Sequence, residues 1–288
     1  MKEGIGMRRW QRYLIECLIF VVVVMIAVPV VNHFYGARPS TLITHLSRRN
    51  EKRTLSYVAI GDSLTQGVGD TTNSGGFVPI VANLVRSDFS VAVEAQNFGV
   101  NGNTSTQIIN RMNREEEIQE AIKQADFLTI TVGGNDMLKV MRKHLVGLTV
   151  EDFEQPLVQY RSRIQQLVHQ IREWNKEAPI YFLGVYNPFF LNFPELTQMQ
   201  EIIDSYNDAT KRTVEQMEKC YFIPINDLLY RGLEGEEGIM ETISGNQIIV
   251  NDALYEGDRF HPNNIGYQLM ARAVFEEMKQ TQEEWLKK

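Results

Sequence analysis

The stretch Tyr57-Val-Ala-Ile-Gly-Asp-Ser-Leu-Thr-Gln-Gly-Val-Gly69 decides the fold. Residues 57–60 form an apolar run rich in β-branched and aromatic residues, which is typical of a buried strand, and Gly61 then breaks the run. The strand therefore presents Ser63 just beyond its carboxyl end. In an open α/β sheet, ligands bind at that edge because backbone donors and helix N-termini meet there. A serine in a Gly-Asp-Ser turn also commonly serves as a helix cap or turn residue, so this stretch alone assigns no function.

Strand-like and helix-like segments alternate along the rest of the chain. Glycine-containing turns follow the first three predicted strands, and the longest predicted helices have apolar residues three or four positions apart. This alternation predicts a parallel sheet covered by helices on both faces, with right-handed crossovers. The predicted strands are residues 57–60, 91–97, 127–132, 180–185 and 221–225, and the predicted helices are residues 77–85, 105–112, 115–124, 151–176, 199–220 and 263–286.

The composition is that of a globular protein with an acidic body. At 288 residues, 43% of them hydrophobic, the chain can bury a full-sized core. Residues 1–31 hold four of the 29 basic and two of the 36 acidic residues, so the remainder carries 25 basic and 34 acidic residues. An acidic body without a run of Lys or Arg argues against nucleic acid as a partner. Cys17 and Cys220 lie in different segments and the five histidines are scattered, so we expect no disulfide and no structural zinc site.

An almost unbroken apolar run extends over the 18 residues from Leu14 to Val31, and three arginines precede it. Its length lies near the lower limit for crossing a hydrocarbon core about 30 Å thick, and the basic flank predicts a cytoplasmic N-terminus. We therefore expect residues 1–31 to be a signal peptide or a signal anchor, and the lack of a small-x-small cleavage site favours the anchor. Residues 32–54 would form a juxtamembrane tether. Residues 55–288 would form one globular domain outside the cytoplasm, secreted if the leader is cleaved.

Two further segments have two interpretations each. The segment 186–198 is too apolar for an ordinary surface loop, and its large side chains either cap the core or line a substrate-binding pocket for an acyl or aromatic group. The acidic segment 232–257 is either a lid or a solvated insertion. The candidate substrate-binding residues of the first segment are Phe189, Phe190, Leu191 and Phe193.

Polar residues in four separate turns together match an acyl-transfer site. A serine hydroxyl becomes a good nucleophile only when a base removes its proton, and that base needs an orienting acceptor on its other nitrogen. His261 can be the base for Ser63, and Asp258 can hold the tautomer of the imidazole. The attacked carbonyl oxygen becomes an anion, so hydrogen-bond donors must be fixed in advance around it. The candidate donors are the backbone N–H groups of Ser63 and Gly102 and the side-chain amide of Asn135.

In these turns the chain resembles the SGNH hydrolases, the GDSL family of lipases and esterases. The resemblance covers residues 57–275, with the motif blocks in the family's order. It implies a flavodoxin-like three-layer α/β/α fold with about five parallel strands, and neither metal nor cofactor. It also implies Ser63 as nucleophile, Gly102 and Asn135 as oxyanion donors, His261 as base and Asp258 as its partner; Gly99 is more compatible with a turn. The blocks are Gly61-Asp62-Ser63-Leu64, Asn101-Gly102-Asn103-Thr104-Ser105, Gly133-Gly134-Asn135-Asp136 and Asp258-Arg259-Phe260-His261.

The sequence therefore predicts a membrane-tethered serine hydrolase that cleaves carboxylic esters through an acyl-Ser63 intermediate. The tether and the apolar segment 186–196 favour lipid or other acyl esters at the cell envelope. Two enzymatic alternatives use the same catalytic groups, namely O-deacetylation of a cell-wall polysaccharide and hydrolysis of an acyl thioester. An alternative of another class is a non-catalytic module that binds a glycan or lipid, although a pure binder needs no Ser–His pair. The oligomeric state stays open.

Overall fold

The computed structural model describes residues 54–143, 148–188, 197–231, 239–243 and 246–286. The predicted leader and nearly all of the predicted tether lie outside the described residues, as do the substrate-binding candidates Phe189, Phe190, Leu191 and Phe193. Within the described ranges, no helix combines the length and the apolar character needed to cross a membrane.

Strands and helices alternate along the described chain, and a hairpin follows the last strand of the main sheet. The strands are β1 Thr54–Gly61, β2 Ala92–Gly99, β3 Phe127–Thr131, β4 Ile180–Leu183, β5 Cys220–Ile223, β6 Ile239–Ile243 and β7 Asn246–Val250. The α-helices are α1 Ser63–Gln66, α2 Phe77–Phe89, α3 Ser105–Arg114, α4 Glu116–Gln124, α5 Gly134–Met141, α6 Glu154–Trp174, α7 Thr197–Val214, α8 Asn226–Arg231, α9 Asn264–Gln280 and α10 Gln282–Trp285, and a 3-10 helix spans Val150–Phe153.

The main sheet has the strand order β2-β1-β3-β4-β5, and every neighbouring pair is parallel. This is the flavodoxin-like order, so the predicted fold class is confirmed. Gly61 at the end of β1 pairs with Gly99 of β2 and with Thr131 of β3. The residues that follow these three strands therefore emerge side by side. The strand order reverses between β1 and β3, and ligands of such sheets bind at that point.

Alternate side chains of β1 enter two separate cores. Val58 and Ile60 pack in an apolar cluster with α3 to α7, whereas Tyr57 and Ala59 pack with α2, α9 and α10. This alternation follows from the two-residue repeat of a strand. It makes the predicted three-layer sandwich, with helices on both faces of the sheet.

Several boundaries differ from the sequence predictions. The predicted helix 199–220 ends at Val214, and β5 begins at Cys220. The turn after β3 continues into helix α5, which the sequence does not predict. The helix starts at the pair Gly133-Gly134, and glycine is unfavourable inside helices but tolerated at their start. Part of the acidic segment 232–257 pairs as the antiparallel hairpin β6–β7.

Candidate active site

Ser63 is the first residue of α1, the one-turn helix that follows β1. Asp62 precedes this helix, and its Oδ1 accepts a hydrogen bond from the backbone N–H of Leu64 at 3.0 Å. A short acidic side chain at this position satisfies a backbone donor that has no partner within the helix. Ser63 is 6% exposed and lies at the carboxyl edge of the sheet, where the sequence predicts it.

A buried hydrogen-bond network fixes Asp62. The hydroxyl of Thr131, at the end of β3, donates to Asp62 Oδ1 at 2.8 Å and lies 2.8 Å from Thr65 Oγ1. Burial raises the pKa of Asp62, although the hydrogen bonds from Thr131 and from the backbone of Leu64 oppose this shift. These contacts join the ends of β1 and β3. Asp62 therefore shapes the turn that carries Ser63.

Asp258 and His261 form a direct pair. His261 Nδ1 lies 2.6 Å from Asp258 Oδ2, and Asp258 Oδ1 accepts the backbone N–H groups of Phe260 and His261 at 2.9 and 3.0 Å. Burial alone would raise the pKa of Asp258, but the hydrogen bonds from His261 and the backbone lower it. An imidazole that donates its Nδ1 proton to such a carboxylate presents the lone pair of its Nε2 to a substrate or nucleophile. Nε2 is buried and has no hydrogen-bond partner among the described residues.

The loop that carries His261 packs against the loop that follows α1. Gly69 has a φ angle of +94°, and a Cβ atom there would lie 2.4 Å from Pro262 O and 3.2 Å from His261 Cβ. Glycine permits both the backbone conformation and the close approach. Tyr267 Oη also donates a hydrogen bond to Val68 O at 2.6 Å. The chain downstream of the serine turn is thereby held against the histidine loop.

Asp70 adds a polar link between the same two loops. Its carboxylate accepts backbone N–H groups from residues 74–76 and two hydrogen bonds from Thr72. Asn264 Nδ2 donates to Asp70 Oδ1 at 2.7 Å, and Thr71 Oγ1 donates to Asn264 Oδ1 at 2.7 Å. Burial would raise the pKa of Asp70, but these hydrogen bonds outweigh it and lower the pKa to about 2. The carboxylate is therefore ionised at neutral pH. Asp70 is not among the candidate residues predicted from the sequence.

The two other oxyanion candidates follow β2 and β3, the two strands that flank β1. Gly102, with a φ angle of +80°, lies in the turn between β2 and α3, and Asn135 is the second residue of α5. Asn135 Nδ2 donates to Asn103 O at 3.1 Å, which joins the two turns. Gly99 instead ends β2 against α1, where a Cβ atom would lie 2.1 Å from Gln66 N. This contact gives Gly99 a packing role, in line with the preference for Gly102.

Ser63 and Asn135 line one cavity, and so does Phe260, the neighbour of His261. The cavity therefore borders three of the four motif blocks. Most of its remaining wall is apolar and comes from α5, the chain after β4, and α7. The lining residues of α5 are not among the sequence predictions because no helix is predicted after Asp136; the apolar pair that follows Asp136 is the available signal. The apolar wall includes Met137, Leu138, Met141, Val185, Met199 and Ile203.

The fold and the arrangement of the four motif blocks define a hydrolase of the SGNH type. The chain belongs to the GDSL-like lipase/acylhydrolase family, whose model matches residues 59–269. It is therefore a carboxylic ester hydrolase by family.

Relatives and solved structures agree with this family. The uncharacterized protein YpmR of Bacillus subtilis is 31% identical over 236 residues, which cover 81% of this chain and 86% of that protein. The spore germination lipase LipC of Bacillus licheniformis is 28% identical over 225 residues, which cover 77% of this chain and 95% of that protein. The structure of the lipase Lip_vut3 from a goat rumen metagenome is similar, with a TM-score of 0.63 and 25% identity. The match covers 76% of this chain and 95% of that lipase. Axe2, an acetylxylan esterase from Geobacillus stearothermophilus, shares the fold, with a TM-score of 0.55 and 20% identity. The match covers 80% of this chain and 94% of Axe2.

Proposed function

We propose that Ser63, His261 and Asp258 act as a catalytic triad that hydrolyses acyl esters. The observation that carries this proposal is the 2.6 Å contact between His261 Nδ1 and Asp258 Oδ2, together with the buried, unpartnered Nε2 of His261. The packing of the histidine loop against the chain that follows Ser63 supports it as well. A non-catalytic glycan- or lipid-binding module would have no need for an oriented imidazole of this kind.

In the proposed acylation step, Ser63 Oγ bonds to the carbonyl carbon of the ester while its proton passes to His261 Nε2. Asp258 stabilises the imidazolium that forms. The tetrahedral intermediate then collapses, the bond to the alcohol oxygen breaks, and the alcohol leaves with the proton from Nε2. Water next gives a proton to the same nitrogen and attacks the acyl carbon. The second intermediate releases the carboxylic acid as Ser63 Oγ recovers its proton.

The oxyanion of both intermediates needs donors that are already in place. We assign this role to the backbone N–H groups of Ser63 and Gly102 and to Asn135 Nδ2. The amide of Asn135 has two N–H donors, and among the described residues only one is used, in the 3.1 Å bond to Asn103 O. The second is thus available to an oxygen in the cavity that Asn135 and Ser63 share.

The apolar cavity beside Ser63 supports a substrate whose acyl group contains several methylenes. A longer acyl chain offers several methylenes to the apolar wall that includes Met137, Met141 and Met199, whereas an acetyl group offers a single methyl. Each buried methylene contributes about 0.8 kcal/mol, or about fourfold in binding. We therefore infer that lipid or other fatty-acyl esters are better substrates than acetyl esters.

p-Nitrophenyl octanoate is expected to be cleaved with a kcat/KM at least about tenfold above that of p-nitrophenyl acetate, since burial of two methylenes suffices for this ratio. Met141→Trp should reduce the ratio by filling the cavity. Met217→Trp is the matched control, because Met217 is also partly buried against the core but does not line the cavity.

The same substrate panel tests the two enzymatic alternatives. The similarity to an acetylxylan esterase of Geobacillus stearothermophilus, which is 24% identical over 228 residues, favours O-deacetylation as the second candidate. A preference for acetate esters, with acetate release from acetylated cell-wall polysaccharide, would contradict the fatty-acyl assignment and support that candidate. Faster cleavage of octanoyl thioester than of the oxygen ester would instead indicate a thioesterase.

We also propose that residues 1–31 anchor the chain in the cell membrane, with the catalytic domain on the outer face. The apolar run from Leu14 to Val31 and its basic N-terminal flank support this topology. Fractionation of cells that express the full chain should find the activity in membranes washed with salt and alkali, and protease added to spheroplasts should remove it. Activity in the culture medium would indicate a cleaved leader, and activity in the cytosol would contradict export.

A further inference from the structure

Arg163 of α6 reaches the point at which two motif turns meet. Its Nε donates to Ser105 Oγ at 2.5 Å, and its Nη2 donates to Asp136 Oδ1 at 3.2 Å. Ser105 begins α3 three residues after Gly102, and Asp136 directly follows Asn135 in α5. One guanidinium group therefore holds a near neighbour of each of these two proposed oxyanion donors.

Ser105 and Asp136 are also joined directly. The backbone N–H of Ser105 donates to Asp136 Oδ2 at 2.8 Å, and its hydroxyl donates to Asp136 Oδ1 at 2.6 Å. Ser105 is fully buried and the Asp136 side chain is 6% exposed, so water cannot readily replace a lost partner. Arg163 supplies both the counter-charge for the carboxylate and a donor for the hydroxyl. A guanidinium group presents these two donors in a fixed fork.

We propose that Arg163 is a positioning residue for ester hydrolysis. It clamps Ser105 to Asp136 and thereby keeps the Gly102 N–H and the Asn135 amide directed at the same oxygen. This inference rests on the proposed oxyanion roles of Gly102 and Asn135. Because the oxyanion forms only during the reaction, a displaced donor slows turnover more than it weakens substrate binding.

Arg163→Met tests the clamp, since it removes the fork and the charge while keeping an extended side chain. We expect kcat for p-nitrophenyl octanoate to fall by about 10- to 100-fold with KM changed by less than about threefold. Arg163→Lys retains a charge but cannot make both bonds, so its kcat should lie between those of the wild type and Arg163→Met. If Arg163→Met does not fold, the kcat of Arg163→Lys is compared with that of the wild type instead.

Arg172→Met is the matched control on the same helix. Arg172 lies nine residues further along α6, about 14 Å away by the helical rise, and it donates to the backbone oxygens of Ala178 and Asn175 at 2.7 and 3.2 Å. Both substitutions remove an arginine that joins elements, so both should lower the unfolding midpoint. Only Arg163→Met should also have a lower kcat.

A double-mutant cycle with Asn135→Ala separates positioning from a general structural role. If Arg163 acts through the amide of Asn135, Arg163→Met should lower kcat by a smaller factor in the Asn135→Ala background than in the wild type. Fully additive losses, or a kcat for Arg163→Met equal to that of Arg172→Met, would overturn the inference and leave the triad intact. Wild-type turnover by Ser63→Ala would instead refute the proposed triad, and wild-type turnover by Asn135→Ala would refute the oxyanion role on which this inference rests.

Discussion

Replacing Ser63 with alanine is expected to lower kcat/KM for p-nitrophenyl octanoate by about 10⁴-fold or more. The substitution removes the only atom that bonds to the acyl group in the proposed reaction, so the cavity and the oxyanion donors are left to act on water alone. A stopped or spectrophotometric assay of p-nitrophenol release measures the loss of activity directly. Retention of more than a few per cent of the activity would mean that another group is the nucleophile.

Two controls accompany this substitution. Ser87 is exposed on α2, and Ser87→Ala should leave the kinetics unchanged. Loss of one hydroxyl at Ser63 should change the free energy of unfolding by less than about 1 kcal/mol. A large drop in the unfolding midpoint would attribute the loss of activity to the fold instead of the chemistry.

His261→Ala should lower kcat by several orders of magnitude, because members of a triad act as a unit and Ser63 then lacks its proton acceptor. The substitution also leaves Asp258 without the imidazole that its Oδ2 contacts at 2.6 Å. His169, exposed on α6, provides the matched control, and His169→Ala should turn over like the wild type. Wild-type-like turnover by His261→Ala would remove this histidine from the mechanism.

The sheet could be predicted from the sequence because its signals are local. Apolar runs such as residues 127–132 end at glycines, and amphipathic helices separate them, which is the pattern of a parallel sheet. The paired ends of β1, β2 and β3 then explain why polar residues that are distant in sequence meet at one edge. The predicted roles of Gly102, Asn135 and Ser63 follow from this logic together with the resemblance of their motifs to a known family.

Other features depend on tertiary contacts that leave no local signal. Helix α5 begins at the second glycine of a pair, so the sequence does not predict the helix or its apolar residues that line the cavity. Arg163 lies in an amphipathic helix and looks like any surface cation in the sequence. Its role arises only because α6 passes the start of both α3 and α5. Asp70 likewise gains its partner Asn264 from a segment almost 200 residues away.

Mapping the covalent adduct of a fluorophosphonate probe tests the central claim most directly. The reagent labels a serine only where a base and oxyanion donors converge on its hydroxyl. We predict one adduct per chain, located on Ser63 by peptide mass mapping, and a greatly reduced adduct yield in His261→Ala. An adduct on another serine, or an unlabelled wild-type protein, would contradict the account.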